Sequence, residues 1–522
     1  MKILRMNSIV AVIVILAVFT TFFSMNGIKV DARWKDHSTG YYSEKYRPQF
    51  HFTSEKNWMN DPNGLVFYKG KYHMFYQYNP YGNKGGNTSW GHAVSKDLVH
   101  WKHLPVALKP DKLGMIFSGS IVVDKHNTSG LFKAKSGGLV AIYTSAGDTQ
   151  QQSIAYSTNE GKTWTKYKGN PVLPNPGIKD FRDPKVIWYE KEKKWVMILA
   201  AGDHVRFYSS KNLREWKYMS KFGENEGAHG GVWECPELFI LPVNGDPNNT
   251  KWVLQVDINP GAVAGGSGGQ YFIGEFDGIK FVNDHPPDEI RWVDYGKDFY
   301  ATQTWFNTKN REIWIAWMNN WEYAESIPTH PWRGAMSLPR ELTLKTFPGE
   351  GIKLVQTPVK ELQRIEQNPY KWKNKRINPG KNVLSDISGK TIEITAEFEL
   401  GSASEFGFKV RKGKNEETII GYDAVRNQLF VDRTNSGQDQ FNKQFAGKHM
   451  ATLHPVDNRI KLHIFVDHSS VEVFGNNGEI VITDQIFPDP SSEGLELFAK
   501  NGDVLLISLT VNKLESIWQK NK

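Results

Sequence analysis

From about residue 46 the apolar residues of this chain come in short runs that alternate or cluster over a few positions and then stop at a turn. Leu65–Phe67, Tyr72–Tyr78, Ser120–Val123, Leu139–Thr144, Val186–Trp188, Trp195–Leu199, Trp252–Val256 and Glu312–Met318 are of this kind. They are rich in Val, Ile, Tyr, Phe and Trp, the residues that fit a pleated, half-buried surface. Long stretches with a 3.6-residue period are missing, and Val359–Gln367 is the best short helix candidate. From Thr391 the strands lengthen and alternate more cleanly: Thr391–Glu399, Phe406–Val410, Thr418–Tyr422, Leu429–Asp432, Arg459–Val466, Val471–Phe474, Glu479–Thr483, Leu495–Ala499 and Leu505–Val511. Turn signals such as Asn476-Asn477-Gly478 and Asn501-Gly502 separate them. The pattern predicts an all-β chain.

Two elements recur along the first part. One runs Ser95–Trp101, Ser157–Trp164 and Ser210–Trp216, with a fainter copy at Gly274–Phe281, and reads as the turn between the outer strands of an antiparallel unit. The other is Asp61-Pro62, Gly119-Ser120, Asp183-Pro184, Cys235-Pro236 and the stretch near Thr302. Successive copies lie about 60 residues apart, which predicts a five-bladed β-propeller over 46–345. Lys and Pro rise near Thr346–Tyr370, so 346–370 reads as a linker, and 371–518 reads as a β-sandwich.

Composition narrows the function. One cysteine in 522 residues excludes a disulfide framework and a multi-cysteine metal site. The net charge of +8 comes from scattered basic residues without a Lys/Arg-rich run, which argues against a nucleic-acid partner. The histidines show no HExxH-like spacing, so neither a catalytic metal nor a cofactor is expected. Lys2 and Arg5 precede the apolar run Ile9–Met25, and Val30-Asp31-Ala32 resembles a signal-peptidase site. Residues 1–32 therefore read as a cleaved secretory signal. No second hydrophobic span follows, and the expectation is a secreted, monomeric protein without stable membrane association.

Three acids sit in short motifs at the starts of propeller units. Asp61 lies in Trp58-Met59-Asn60-Asp61-Pro62-Asn63-Gly64, Asp183 in Phe181-Arg182-Asp183-Pro184, and Glu234 in Trp233-Glu234-Cys235-Pro236-Glu237. Pro disfavours all but extended conformations in the residue before it, which would aim the acids. The innermost strands of a propeller converge on its axis, so acids at matching places would meet in one funnel. Converging carboxyls raise at least one pKa, the split that glycosidic-bond cleavage needs. Cys235 abuts one acid but has no His-Asp/Asn relay beside it, so a thiol nucleophile is not expected.

With these motifs the chain resembles glycoside hydrolase family 32, the invertase, inulinase and levanase group. Trp58–Gly64, Arg182-Asp183-Pro184 and Glu234-Cys235-Pro236 carry the resemblance. Phe75-Tyr76-Gln77, Trp90-Gly91-His92-Ala93, Phe117-Ser118-Gly119-Ser120 and Val471-Glu472-Val473-Phe474 support it. The resemblance covers about residues 46–515 and implies a retaining hydrolase of β-fructofuranosidic bonds in levan, inulin and sucrose. It further implies Asp61 as nucleophile, Glu234 as general acid/base and Asp183 as stabiliser of the transition state through fructose hydroxyls. Asn60 and Gln77 would bond the fructosyl ring, and Arg182 would tune the acids. Trp58, Met59, Phe117, Ser118 and Trp321 would complete the substrate pocket, while Trp317 is read as core. A fructosyltransferase using the same intermediate and a non-catalytic fructan-binding protein are the alternatives. One departure stands out: between Tyr78 and Trp90 many relatives carry a further pocket Trp, and here Gly85 takes its place. That points to a wider rim and leaves exo or endo action open.

Overall fold

Each repeat of the sequence folds as a small antiparallel sheet, and the five sheets are led by Asn57–Tyr68, Met115–Asp124, Phe181–Tyr189, Val232–Val243 and Tyr300–Thr304. The computed structural model describes residues 41–133 and 137–518, so the leader expected at 1–32 lies outside the described residues. The first sheet continues outward through Lys71–Asn79, Ser89–Ser95 and Trp101–Leu108, and the next two follow the same up-and-down order. The fourth and fifth sheets share one parallel contact, Val243 with Leu344. Each leading strand packs against the next, and the fifth packs against the first. This closed ring of five is the predicted propeller.

The Ser-to-Trp repeat is the turn between the third and fourth strands of a blade, and its chemistry is local. Ser210 Oγ accepts the amides of Asn212 and Leu213 at 3.1 and 2.8 Å. Trp101, Trp164 and Trp216 each donate the indole N–H to the carbonyl three residues back, at 3.0–3.1 Å. Leu98, Gly161 and Leu213 take left-handed φ values of 66, 77 and 61° to make the turn. The fourth copy lacks the Trp, and Asp277 instead accepts the amides of Ile279 and Lys280.

Beyond the ring, six strands and five strands form two further sheets that enclose Ile394, Phe398, Phe406, Phe408 and Val473. The stretch 346–370, expected as a linker, is mostly strand. Arg340–Phe347 turns into Gly351–Pro358 within the fifth blade, and Glu366–Ile377 begins the first sandwich sheet. Between them the helix candidate is a 3₁₀ turn, Lys360–Ile365, with Leu362 and Ile365 buried. Glu366–Ile377 escaped the pattern because it is an edge strand whose residues are mostly exposed and carry Lys, the usual protection of a sheet edge.

Propeller and sandwich share one core, in which Phe50, Met59 and Trp305 meet Phe465, Phe474 and Leu514. Through it runs a buried polar layer. Arg340 donates to Asp294, Gln356, Glu472 and Thr483. Arg433 donates to Asp298 at 2.6 Å. His51 Nδ1 is 2.8 Å from Asp467 Oδ2 and its Nε2 is 3.0 Å from Glu472 Oε1. Ionised carboxylates only accept, so both ring nitrogens donate and His51 is an imidazolium.

Burial alone would push the His51 pKa down, but its two bonded carboxylates outweigh this and raise it to about 9. A raised pKa stabilises the fold fully below the free value near 6.5 and is lost as pH climbs through about 9. The contribution is about 3 kcal/mol. The unfolding midpoint in denaturant should therefore fall between pH 6.5 and 9, and His51→Leu should be less stable at pH 6 and flatter over that window. An equal pH slope in both proteins would refute the assignment.

Candidate active site

All five leading strands carry the same irregularity at the same place. In the first, Met59 pairs with Tyr78 and Pro62 with Tyr76, so Asn60 and Asp61 together oppose Gln77. Phe117 and Ser118 lie in the gap between the pairs Ile116–Ser145 and Gly119–Tyr143. Asp183 and Pro184 occupy the third gap, Cys235 and Pro236 the fourth, and Ala301 and Thr302 the fifth. Two residues against one is a β-bulge, which re-aims side chains and sharpens the local twist. Here it turns successive side chains toward the axis.

The aiming differs from the sequence expectation. Asp183 and Cys235 each precede a proline, yet they have φ values of 66 and 45°, in the left-handed region rather than extended. The bulge sets these conformations and the proline tolerates them; Ala301 in the fifth strand, without a following proline, has a φ of 56°. Asp183 is held by Thr144 Oγ1 on its own amide at 3.0 Å and by the Cys235 amide on Oδ2 at 3.1 Å.

The three acids meet in one cavity of about 180 Å³ lined also by Trp58, Asn60, Gln77, Phe117, Arg182 and Trp321. Asp61 and Asp183 are only 7 and 4% exposed. Asp61 accepts Asn60 Nδ2 at 2.8 Å, Gln77 Nε2 at 3.1 Å and Ser118 Oγ at 2.5 Å. Trp58 Nε1 fixes Asn60 by donating to Oδ1 at 2.7 Å. Arg182 donates Nε and Nη2 to Glu234 Oε1 at 3.0 and 2.8 Å, and Nη1 to Asp180 at 2.6 Å. Its Nε lies 3.9 Å from Asp183 Oδ2. Tyr300 donates its hydroxyl to Glu234 Oε2.

Burial is the first cause that pushes the Asp61 carboxyl above the usual range; the Ser118 hydrogen bond opposes it and the Glu234 charge adds to it. Burial likewise raises Asp183, against Arg182 and with the charges of Glu234 and Asp61. One guanidinium among three acids offsets their repulsion and burial only in part, which is why both aspartates stay raised.

Of the residues singled out in the sequence, Met59 does not reach the cavity. It precedes the bulge, is fully buried, and packs in the core shared with the sandwich. Ser118 does not line the cavity either; it stands behind Asp61 as a hydrogen-bond donor. Trp317 is buried, 4.9 Å from Trp321 and 5.8 Å from Trp58 between ring centroids, and backs the exposed rim Trp321. Tyr300, Met115, Thr88 and Gly86 line the cavity without having been singled out. Tyr300 had one available signal, its place just before the fifth bulge.

The chain matches the profile of the glycosyl hydrolases family 32 N-terminal domain over residues 51–358, and that of the family 32 C terminal over 361–513. It is 60% identical to a levanase of Bacillus subtilis (strain 168), over 92% of this chain and 72% of that protein. It is 42% identical to an extracellular exo-inulinase of Aspergillus awamori, over 91% of this chain and 96% of that protein. A crystal structure of exo-inulinase from Aspergillus awamori superposes with a TM-score of 0.86 at 41% identity, covering 91% of this chain and 100% of that one. A β-fructofuranosidase from Schwanniomyces occidentalis, complexed with fructosyl-erythritol, gives 0.84 at 33% identity, covering 91 and 99%.

Cys235 provides a test of the cluster. Its Sγ lies 3.6 Å from Asp61 Oδ2 and 3.7 Å from Asp183 Oδ2. Burial first, then the neighbouring acids, push the thiol pKa well up. The native protein should give no reaction with a thiol-specific disulfide reagent at pH 8, and one equivalent after denaturation. Rapid labelling of the native protein would contradict this packing.

Proposed function

We propose that this chain, which belongs to glycosyl hydrolase family 32, hydrolyses β-fructofuranosidic bonds in fructans such as levan and inulin, and in sucrose, with retention of configuration. The observation that carries this reading is the meeting of Asp61, Asp183 and Glu234 around one Arg182 in a single sugar-sized cavity. The similarity to a levanase and an exo-inulinase supports the substrate class. The description of the latter as extracellular, together with the leader pattern, supports export of the chain.

In this reading the Asp61 carboxylate attacks the anomeric carbon of the fructosyl unit, while the Glu234 carboxyl gives its proton to the departing glycosidic oxygen. A fructosyl ester of Asp61 forms and the leaving sugar diffuses out. Glu234, now a carboxylate, takes a proton from water, whose oxygen attacks the same carbon and frees Asp61. Asn60, Gln77 and Ser118 fix the Asp61 carboxylate. Asp183, held at two points, accepts hydrogen bonds from ring hydroxyls, which strengthen as positive charge grows on the sugar. Arg182 and Tyr300 grip one oxygen each of Glu234 and hold it toward the leaving group.

Asp61→Asn should retain the fold and lose nearly all turnover of levan, inulin and sucrose, followed by chromatography of released sugars. Retention of more than about a tenth of the wild-type rate would end the nucleophile assignment.

The nucleophile must be ionised, so kcat/KM falls as pH drops through its raised pKa, and the acid limb should lie above the ordinary carboxylate value of about 4. Ser118→Ala removes a hydrogen bond that favours the ionised form, so that limb should move to higher pH. A limb that stays or moves down would exclude this role for Ser118.

Glu234→Gln can neither donate nor accept the proton. It should be strongly impaired on sucrose and levan, but less so in the first step on an activated aryl fructoside, whose leaving group needs little protonation. Fructosyl-enzyme should then accumulate and be visible by mass spectrometry. Equal slowing on both substrate types would remove Glu234 from the acid role.

A further inference from the structure

Gly85 lines the cavity, and its lack of a side chain lets a carboxylate approach there. A Cβ built on Gly85 would lie 3.3 Å from Glu325 Oε1 and 4.0 Å from Trp58 Cε2. The Glu325 carboxylate thus lies against Gly85, close to the Trp58 ring. The Glu325 carboxylate makes no hydrogen bond or ion pair with the protein among the described residues, and Glu325 is exposed beside the cavity-lining Gly85. Trp321, which lines the same cavity as Gly85, is 36% exposed, its ring centroid 5.8 Å from that of Trp58.

This arrangement is held in place from behind. Arg333 donates to the carbonyl of Glu325 and to those of Asn83 and Ile327 at 3.1 and 3.0 Å. One guanidinium therefore ties the segment that carries Glu325 to the loop that carries Gly85. Asn83 Nδ2 adds a bond to Thr329 O at 3.2 Å, and the Trp58 amide one to Gly82 O at 3.0 Å. These bonds hold the segment carrying Glu325 beside the loop carrying Gly85, so the Glu325 carboxylate sits where a side chain at Gly85 would crowd it.

An ionised carboxylate accepts two hydrogen bonds in one plane, which suits neighbouring hydroxyls of a sugar, and an indole face suits the apolar face of the ring. We propose that Glu325, with Trp321 and the rim at Gly85, forms the subsite for the sugar next to the bond being cleaved. It makes the enzyme select a hydroxyl-bearing leaving group, such as a second fructosyl unit, over an apolar one. The same subsite holds the acceptor when a sugar replaces water in the second step. Glu325 is here a specificity-determining residue that touches substrate outside the reacting atoms. The inference rests on the fructosidase reading above.

The test compares wild type, Glu325→Gln and Glu325→Ala on a 2,6-linked difructoside, on sucrose and on an aryl β-fructofuranoside. Glu325→Ala should lower kcat/KM on the two sugars by about tenfold, mainly through KM, as for loss of a hydrogen bond to a charged group. Glu325→Gln should keep most of the activity, and the aryl fructoside should change less than about twofold. Gly85→Trp, whose side chain would displace the Glu325 carboxylate, should shift the ratio of rates toward the aryl substrate. At high sucrose, Glu325→Ala should also form fewer transfer products per fructose released. Wild type active on all three substrates with Glu325→Ala unchanged, or equally weakened on all three, overturns the subsite while leaving the fructosidase reading intact. Wild type inactive on all three overturns both.

Discussion

The bulge repeated in every leading strand is the constraint on which the site depends. A regular strand sends alternate side chains to opposite faces, so it can offer the axis only every second residue. Two residues against one break that alternation at a chosen point. Asn60 and Asp61 are neighbours in sequence, yet both reach the cavity and both bond Gln77, the single residue opposite them. Most polar groups around the proposed chemistry lie within a residue of such a bulge or directly across from one: Ser118, Arg182, Asp183, Glu234 and Tyr300 by position, Gln77 and Thr144 by pairing. The ring then brings the five bulges to one level.

Concentrating acids in this way carries an electrostatic cost that the surroundings only partly offset. Desolvation penalises each charge, and mutual repulsion penalises the set. Among the described residues Arg182 supplies the one cation bonded to these acids, and it is shared with Asp180. The remainder appears as raised pKa values on the two buried aspartates. A site that resists full ionisation when empty gains from the positive charge that develops on a fructosyl ring during bond breaking. The strain of the free state and stabilisation of the transition state therefore have one source.

What the sequence revealed follows from how local the chemistry is. The Ser-to-Trp turn closes within seven or eight residues through its own side chains, so its letters recur and can be read. The inner-strand bulge recurs too, and its prolines and glycines marked it, but not its geometry: Asp183 was expected to be extended and is left-handed. Met59 was misread for the same reason, since one residue before a bulge still obeys alternation and faces the core. Gln77 and Arg182 were reached only through family resemblance, because their partners lie on other strands. Tyr300 had only its place beside the fifth repeat marker to announce it, and Glu325 depends wholly on tertiary placement. The strand Glu366–Ile377 was hidden by its own solubility, as its outward residues are charged.

The remaining question is what keeps five nearly independent sheets in register to the accuracy a reacting atom needs. A ring must close between its last and first blades, and the strand that carries Asp61 lies at that seam. It is stitched there along its length. Trp332–Arg333 runs parallel to its start, with the Asn57 amide 2.7 Å from Pro331 O. Farther along, the Phe67 amide bonds Phe306 O and the Phe306 amide bonds Leu65 O, each at 2.9 Å. The sandwich then locks the seam from outside. Glu472 accepts from His51, which precedes the first blade, and from Arg340 and the Leu338 amide in the fifth. One sandwich carboxylate thus bridges the two blades that the chain itself joins only after a full circuit. Separating them would leave buried charges on both sides without partners, a large penalty compared with that of a surface pair. The sandwich can therefore contribute to catalysis without approaching the sugar, by fixing the seam beside Asp61.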